Sequence, residues 1–347
     1  MAAPFVDYLA CRLPLVEGAL APSASAPLTD GSVAGDLRGY LYDPLDRFTA
    51  SGGKRVRPVL CLLGAEAAGG TAESALACAV AVELFQSAAL IHDDIADEGE
   101  LRRGEPCLYR VEGTGLAINA GDLALVRVLE VVLADEGLDA ERKALVLDEV
   151  ARMERHTLEG QALDLGWVRD ARWDVTPDDY LYMVRSKTAW YTVASPLRLG
   201  ALAAGGSRET ADGLERVGLP AGLAFQIQDD LLNLVGDAAA QGKDFRSDIT
   251  EGKRTLAVVW ALAHLEAEKR DELVALLGSH TTDASELDRA VELIELGGGL
   301  AHCRELARAY VDEARQAADA LARDGLITVE ARDLLCSMAD FFVERAS

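Results

Sequence analysis

The sequence predicts an all-α fold, a single large helical bundle, and three observations carry that prediction. Apolar residues recur at spacings of three and four from residue 36 onward. Ala, Leu, Glu and Arg, all strong helix formers, dominate the same stretch. Alternating runs of Val, Ile, Thr and Tyr, from which a sheet could be built, are missing. The chain has 347 residues, of which 50% are hydrophobic, enough for a sizeable core and too apolar for wholesale disorder. Such a length could hold two domains. No linker, composition shift or internal repeat divides it, so residues 36–347 read as one domain. Residues 1–35 read as an irregular arm, because APSASAPLTDGSVAGD is rich in Pro, Ser, Ala and Gly.

The helices are separated by clusters of Gly, Pro and Asp: GGKRVRP (52–58), AAGGT (67–71), EGELRRGEP (98–106), ADEGLDA (134–140), WVRDARWDVTPDD (167–179), AAGGSRE (203–209), a long break at 235–255, LGSHTTDASE (277–286), ELGGGL (295–300) and ARDGLITVE (322–330). The implied connections are short. Two helices stand out. One runs from a cap at Thr71 to a stop at Gly99, is apolar on most sides, and is therefore expected at the centre. The other lies within residues 215–237, with Pro220 starting or kinking it.

Charge excludes several function classes. With 34 Lys and Arg against 58 Asp and Glu, the formal net charge is −24. Such a chain is poorly suited to phosphate backbones or anionic lipid surfaces, so neither nucleic acid nor stable membrane insertion is expected. Six scattered cysteines form no CxxC and read as small core residues. The first residues have no basic region followed by a clean apolar run, so they do not read as a secretory signal. No stretch of ~20 uninterrupted apolar residues occurs, so no membrane span is expected and a cytoplasmic protein is.

Chemistry concentrates in a few segments. In IHDDIADE, Asp93 and Asp97 are four apart and share a helix face, with Asp94 beside them. Like charges at that spacing repel unless a cation sits between them, and magnesium prefers such hard oxygen donors. QIQDDLLN repeats the theme: Asp229 and Asp230 end an apolar stretch, with Asn233 where a third carboxylate could stand. Each motif alone could be a solvated helix end. Together they suggest two carboxylate clusters facing each other across a cavity, bridged by divalent ions and a polyphosphate. Cationic donors for such a ligand exist in GGKRVRP (Lys54, Arg55, Arg57), LRRG (Arg102, Arg103), RSKT (Lys187) and QGKDFRSDITEGKRT (Lys243, Lys253). The chain has only six lysines, and four of them lie in these segments.

The ordered set GGKRVRP, ELFQ, DDIAD, RRG, GQALDL, SKT, FQIQDDLLN, GKDFRSD and EGKRT, spread over about residues 40 to 260, resembles the trans-isoprenyl diphosphate synthases, the polyprenyl synthetase family. The resemblance implies the isoprenoid synthase type of bundle around a central cavity, and a homodimer. It implies a transferase that condenses isopentenyl diphosphate head-to-tail with an allylic diphosphate, using about three magnesium ions per site. Asp93, Asp94, Asp97, Asp229, Asp230 and Asn233 would serve the metals. Arg102, Lys187 and Lys243 would grip the allylic diphosphate. Lys54, Arg57, Gln86 and Arg103 would hold isopentenyl diphosphate. Thr188 and Gln226 would steady the carbocation, Gln161 and Asp164 would line the pocket, and Lys253 would close over it. Asn233 departs from the usual third Asp, keeping an oxygen without the charge.

The product tail should run from Asp93 back toward the start of its helix. By the same resemblance, bulky residues four and five positions before the first Asp would stop growth at farnesyl length. Here these are Ala89 and Ala88, and the first large residue deeper on that face is Phe85. One helical turn, ~5.4 Å, is roughly one isoprene unit, so geranylgeranyl diphosphate is the expected product. Two other readings share some of the features: a class I terpene cyclase, which would have no use for the cluster Lys54, Arg57, Gln86 and Arg103, and a non-catalytic subunit, which would usually have lost an aspartate motif.

Overall fold

The computed structural model describes residues 4–20, 27–236 and 245–344, and most of them are helical. The helices used below are α1 (Pro4–Leu20), α2 (Val56–Ala67), α3 (Leu76–Ala96), α4 (Thr114–Ala134), α5 (Ala140–Arg169), α6 (Pro177–Val184), α7 (Ser195–Ala203), α8 (Arg208–Val235), α9 (Leu256–His264), α10 (Gly299–Arg323) and α11 (Val329–Glu344). A π-helical segment, Arg185–Ala194, joins α6 to α7 without a break. Local chemistry fixes several starts. The side chain of Asp139 accepts from the backbone N–H of Arg142 at the head of α5. Thr176 and Asp179 form a capping box around Pro177 at the head of α6, and Ser207 caps α8 through the N–H of Thr210.

The expectation for the first long helix holds in place and differs in detail. Thr71 opens a short 3-10 turn, Ala72–Ala75, and the α-helix proper starts at Leu76. In α3, 14 of 21 residues are buried, and the helix packs against α2 and α4. By length and composition the stretch Ala72–Ala96 is apolar enough to cross a bilayer, but it is packed inside the bundle. Pro220 is an interior residue of α8, which starts seven residues earlier than the sequence suggested.

Two expectations are corrected. The arm 1–35 is not irregular throughout, since residues 4–20 form α1 despite Pro14, and Ser32–Leu37 form a further short helix. The reason is tertiary: Phe5 is fully buried against Phe341 and Phe342 of α11, and burying such a ring outweighs weak local propensity. A sheet, expected nowhere, exists as a two-residue hairpin pairing Leu101–Arg102 with Glu105–Pro106. Arg103 and Gly104 turn it with φ of 55° and 85°, the paired left-handed geometry of a tight hairpin turn.

Close helix approach then builds the walls of the site. A Cβ added to Gly160 of α5 would lie 2.2 Å from the backbone nitrogen of Lys187. One added to Gly222 of α8 would lie 2.6 Å from the Cα of Ala189. Both helices therefore press directly on the π-helical segment that carries Lys187 and Thr188. Such π-helical geometry is rare and is found frequently at functional sites.

Candidate active site

The first acidic cluster sits at the C-terminal end of α3, and its three carboxylates have three different partners. Asp93 accepts from Nε2 of Gln161 at 3.0 Å. Asp94 is buried and accepts from Nε of Arg102 at 2.9 Å, while its Oδ2 is buried without a partner. Asp97 faces Nζ of Lys253 at 3.3 Å. Burial pushes the Asp94 carboxyl up against the pull of Arg102. Burial likewise raises Asp97, to about 6 despite Lys253.

The second cluster lies near the end of α8. Asp230 is buried and accepts from the Tyr180 hydroxyl at 2.5 Å and from Nε2 of Gln226 at 2.7 Å. Burial, followed by the charge of Asp248, raises its carboxyl to about 8. Asp248, which the sequence reading passed over, is itself raised by burial to about 6. Asn233 donates its amide to Oγ of Ser247 at 3.1 Å, and its oxygen accepts from the N–H of Asp248 at 3.3 Å. In this chain the Asn at that position thus anchors the segment that carries the extra carboxylate.

Lysines connect the clusters. Lys187 pairs with buried Asp164. Burial alone would raise Asp164, but Lys187 and Lys253 outweigh it and hold the carboxyl below its ordinary value. Lys253 feels Asp248, Asp97 and Asp164 together, which lift its ammonium well above the usual range against the effect of burial. Asp164, Lys187, Thr188, Gln226, Asp230, Asp248 and Lys253 line one small cleft. Lys243 lies outside the described residues.

Two further cavities flank this centre. A polar one, of about 120 Å³, is lined by Lys54, Arg57, Gln86 and Arg103, the four residues grouped from sequence, together with Thr192, Phe225 and Phe341. Oε1 of Gln86 and Nε of Arg57 are buried without partners. Arg103 is pushed down by burial and by its cationic neighbours Arg55, Arg102 and Arg57. A concentration of guanidinium groups of this kind fits an anion. Arg55 is not available for one. With φ of 48° it turns inward to Glu83, Glu17 and the carbonyl of Thr49. This also accounts for Glu83 in ELFQ.

The second cavity is apolar, about 310 Å³, with Asp93, Gln161 and Lys187 at one end. Ala88, Ala89, Leu125, Leu158 and Thr157 form walls, and Phe85 and Tyr191 also line it. Phe85 is eight residues before Asp93, so ~12 Å of helix separates them. The rings of Phe85 and Tyr191 meet edge to face, 5.8 Å between centroids.

The donor chemistry fits magnesium. Among the described residues no three His, Cys, Asp or Glu side chains converge on one point, so no all-protein cage is preformed. Magnesium commonly takes only one or two carboxylates and completes its shell with water and substrate phosphate. Asp93, Asp97, Asp229, Asp230 and Asp248 supply hard oxygens for that mode, and the raised carboxyls of Asp97, Asp230 and Asp248 would be stabilised in their charged form by a cation.

Comparison with known proteins agrees with this geometry. Residues 38–294 match the sequence profile of the family described as polyprenyl synthetase. A short chain isoprenyl diphosphate synthase of Methanothermobacter thermautotrophicus is 38% identical over 86% of this chain and 89% of that one. A geranylfarnesyl diphosphate synthase of Natronomonas pharaonis is 37% identical over 88% and 90%. The crystal structure of a geranylgeranyl pyrophosphate synthase from Corynebacterium glutamicum, complexed with isoprenyl diphosphate and magnesium, superposes with a TM-score of 0.81 at 31% identity, covering 98% of this chain and 96% of that one. With both acidic clusters, the cationic cavity and the apolar cavity assembled in one helical bundle, the chain belongs to the polyprenyl synthetase family and is a trans-prenyltransferase of the isoprenyl diphosphate synthase kind.

Proposed function

We propose that this enzyme is a magnesium-dependent, cytoplasmic homodimer that condenses isopentenyl diphosphate with allylic diphosphates to give geranylgeranyl diphosphate. The observation that carries the reading is the apolar cavity that runs from Asp93 past Ala89 and Ala88 to Phe85 and Tyr191. The similar proteins named above carry both geranylgeranyl and geranylfarnesyl activities in their names, so product length rests on this chain's own cavity. A cyclase would have no use for the cationic cavity beside it.

In this reading the allylic diphosphate lies at the polar end, its charge met by Lys187, Lys243, Lys253 and Arg102, with its tail in the apolar cavity. Asp93, Asp94, Asp97, Asp229, Asp230 and Asp248 would hold magnesium, which would supply charge neutralisation for the departing diphosphate. Lys54, Arg57, Arg103 and Gln86 hold isopentenyl diphosphate in the polar cavity. The allylic C–O bond breaks, and Thr188 and Gln226 turn oxygens toward the cation. The isopentenyl double bond attacks that cation, a C–C bond forms, and a proton leaves to the released diphosphate. The apolar wall keeps water from the cation. None of the five histidines is needed. His92 instead faces the carbonyl of Ile118 at 3.3 Å.

The homodimer is supported by an apolar face that is left exposed among the described residues. Ile118, Val126, Leu129 and Leu133 of α4 and Leu158 of α5 are exposed large apolar side chains, and a second copy would bury them. Sedimentation equilibrium tests this part. The deciding experiment for the activity is incubation with magnesium, labelled isopentenyl diphosphate and each allylic diphosphate in turn, followed by chain-length analysis. Geranylgeranyl diphosphate is expected. Absence of incorporation with every primer would overturn the synthase reading, and a product that stops at farnesyl length would overturn the assignment of the floor.

A further inference from the structure

The polar and apolar cavities share a wall one residue thick. Phe85 and Gln86 are neighbours on α3, yet Phe85 lines the apolar cavity and Gln86 the polar one. Tyr191 and Thr192 are neighbours on the π-helical segment and divide in the same way. Arg57 crosses this wall. Its guanidinium donates to the Tyr191 hydroxyl at 3.0 Å and to Oγ1 of Thr192 at 2.9 Å. The guanidinium carbon also lies 4.5 Å from the centre of the Tyr191 ring. On its other side the Tyr191 ring meets Phe85. One aromatic side chain therefore touches both the cation of the polar cavity and the large residue facing the tail.

We propose that Tyr191 has two separable roles: its ring, with Phe85, sets the length of the product, and its hydroxyl positions Arg57 for the diphosphate of the isopentenyl substrate. The inference rests on the function proposed above. The ring role follows from shape, because Tyr191 lines the apolar cavity and meets Phe85 there, while its ring also lies beneath Arg57. The hydroxyl role follows from hydrogen bonding. With its Nε buried and unpartnered, the guanidinium is oriented by the two bonds that Nη2 donates, to Tyr191 and Thr192, and by the ring beneath it.

The test separates the roles by substitution. Tyr191→Phe keeps the ring and removes the hydroxyl. Its product length should equal that of the unmodified enzyme, while KM for isopentenyl diphosphate rises about three- to tenfold, the size of one ordinary lost hydrogen bond, since Thr192 still holds the guanidinium. Tyr191→Leu removes the aromatic floor, and its products should be longer by at least one isoprene unit. Phe85→Ala, which leaves the Tyr191 hydroxyl in place, should likewise give longer products. Calorimetric titration of isopentenyl diphosphate into the unmodified and Tyr191→Phe proteins, matched by circular dichroism, reads the hydroxyl role without turnover. Unchanged affinity in Tyr191→Phe overturns the positioning role, and an unchanged product distribution in folded Tyr191→Leu overturns the length role. An unmodified enzyme that binds isopentenyl diphosphate but extends no primer overturns the functional reading and, with it, the length role, leaving the calorimetry to decide the positioning role.

Discussion

Gly160→Ala adds a single methyl group where α5 meets the π-helical segment. The added carbon would stand 2.2 Å from the nitrogen of Lys187, 2.6 Å from its Cα and 2.7 Å from its Cβ. Non-bonded heavy atoms sit comfortably at about 3.5–4.0 Å, so the two elements must part by roughly 1.5 Å. Helix propensity works the other way, favouring Ala over Gly by about 1 kcal/mol. Overpacking costs typically about 1–3 kcal/mol, so a modest net loss of stability is expected. The larger effect is on turnover. Lys187 moves relative to Asp164, Asp93 and the cleft, and a 1 Å misplacement can lower a rate about 100-fold. The assay is the initial rate of labelled isopentenyl diphosphate incorporation with both substrates saturating, beside thermal unfolding. The polar cavity is built mostly from residues 53–57, 86 and 103, with Thr192 from the π-helical segment, so binding of isopentenyl diphosphate should suffer less than turnover. A Gly160→Ala enzyme with unimpaired kcat and Tm would refute the claim that this contact places Lys187.

Three other outcomes are expected. Phe85→Ala should lengthen products by about one isoprene unit, since the next residue on that face, Ala81, is small and one turn deeper; chain-length analysis reads it, and an unchanged distribution means the floor lies elsewhere. Asp230 and Asp248 have folded pKa values raised to about 8 and about 6, so their contribution to stability is full below the unfolded value near 4 and is lost progressively as pH rises from there through the folded values, to about 8. Without metal, Tm should fall over that window and fall less in Asp230→Asn; parallel curves for the two proteins would contradict this. Magnesium and inorganic diphosphate should each bind more tightly in the presence of the other, and calorimetric titrations showing independent affinities would remove the basis for the shared site.

Much of the site was legible because its motifs are local. Asp93 and Asp97 share a face by helical spacing, whereas the place of Ala88 and Ala89 beside the product tail was implied by family resemblance, with helical period then pointing to Phe85 one turn deeper. The grouping of Lys54, Arg57, Gln86 and Arg103 came from family resemblance, and the structure brings all four to one cavity. What escaped depends on contacts distant in sequence. Tyr180 reaches Asp230 across 50 residues, and Asp248 meets it from a connecting segment with no periodic signal. Arg55 stands between two cations that line the polar cavity, and only its left-handed backbone turns it to Glu83 instead. Helix α1 was missed because Pro14 and the following small residues obscure a face that matters only once Phe5 docks on α11.

The net charge of −24 looks unfavourable for an enzyme whose substrates are anions, and the arrangement of the site shows why it need not be. Among the described residues, the lysines of the centre already face carboxylate: Lys187 faces Asp164, and Lys253 faces Asp97. A diphosphate arriving alone would have to draw these lysines from their partners and leave buried carboxylates uncompensated. A divalent cation arriving alone would do the reverse to the ammonium groups. Arriving together they exchange one set of ion pairs for another, lysine to phosphate and carboxylate to metal, and no buried charge is left alone. The acidic surplus elsewhere is largely solvated surface, screened within about 10 Å at moderate salt, so the sign of the field at the site is set by what occupies it and not by the protein's total charge.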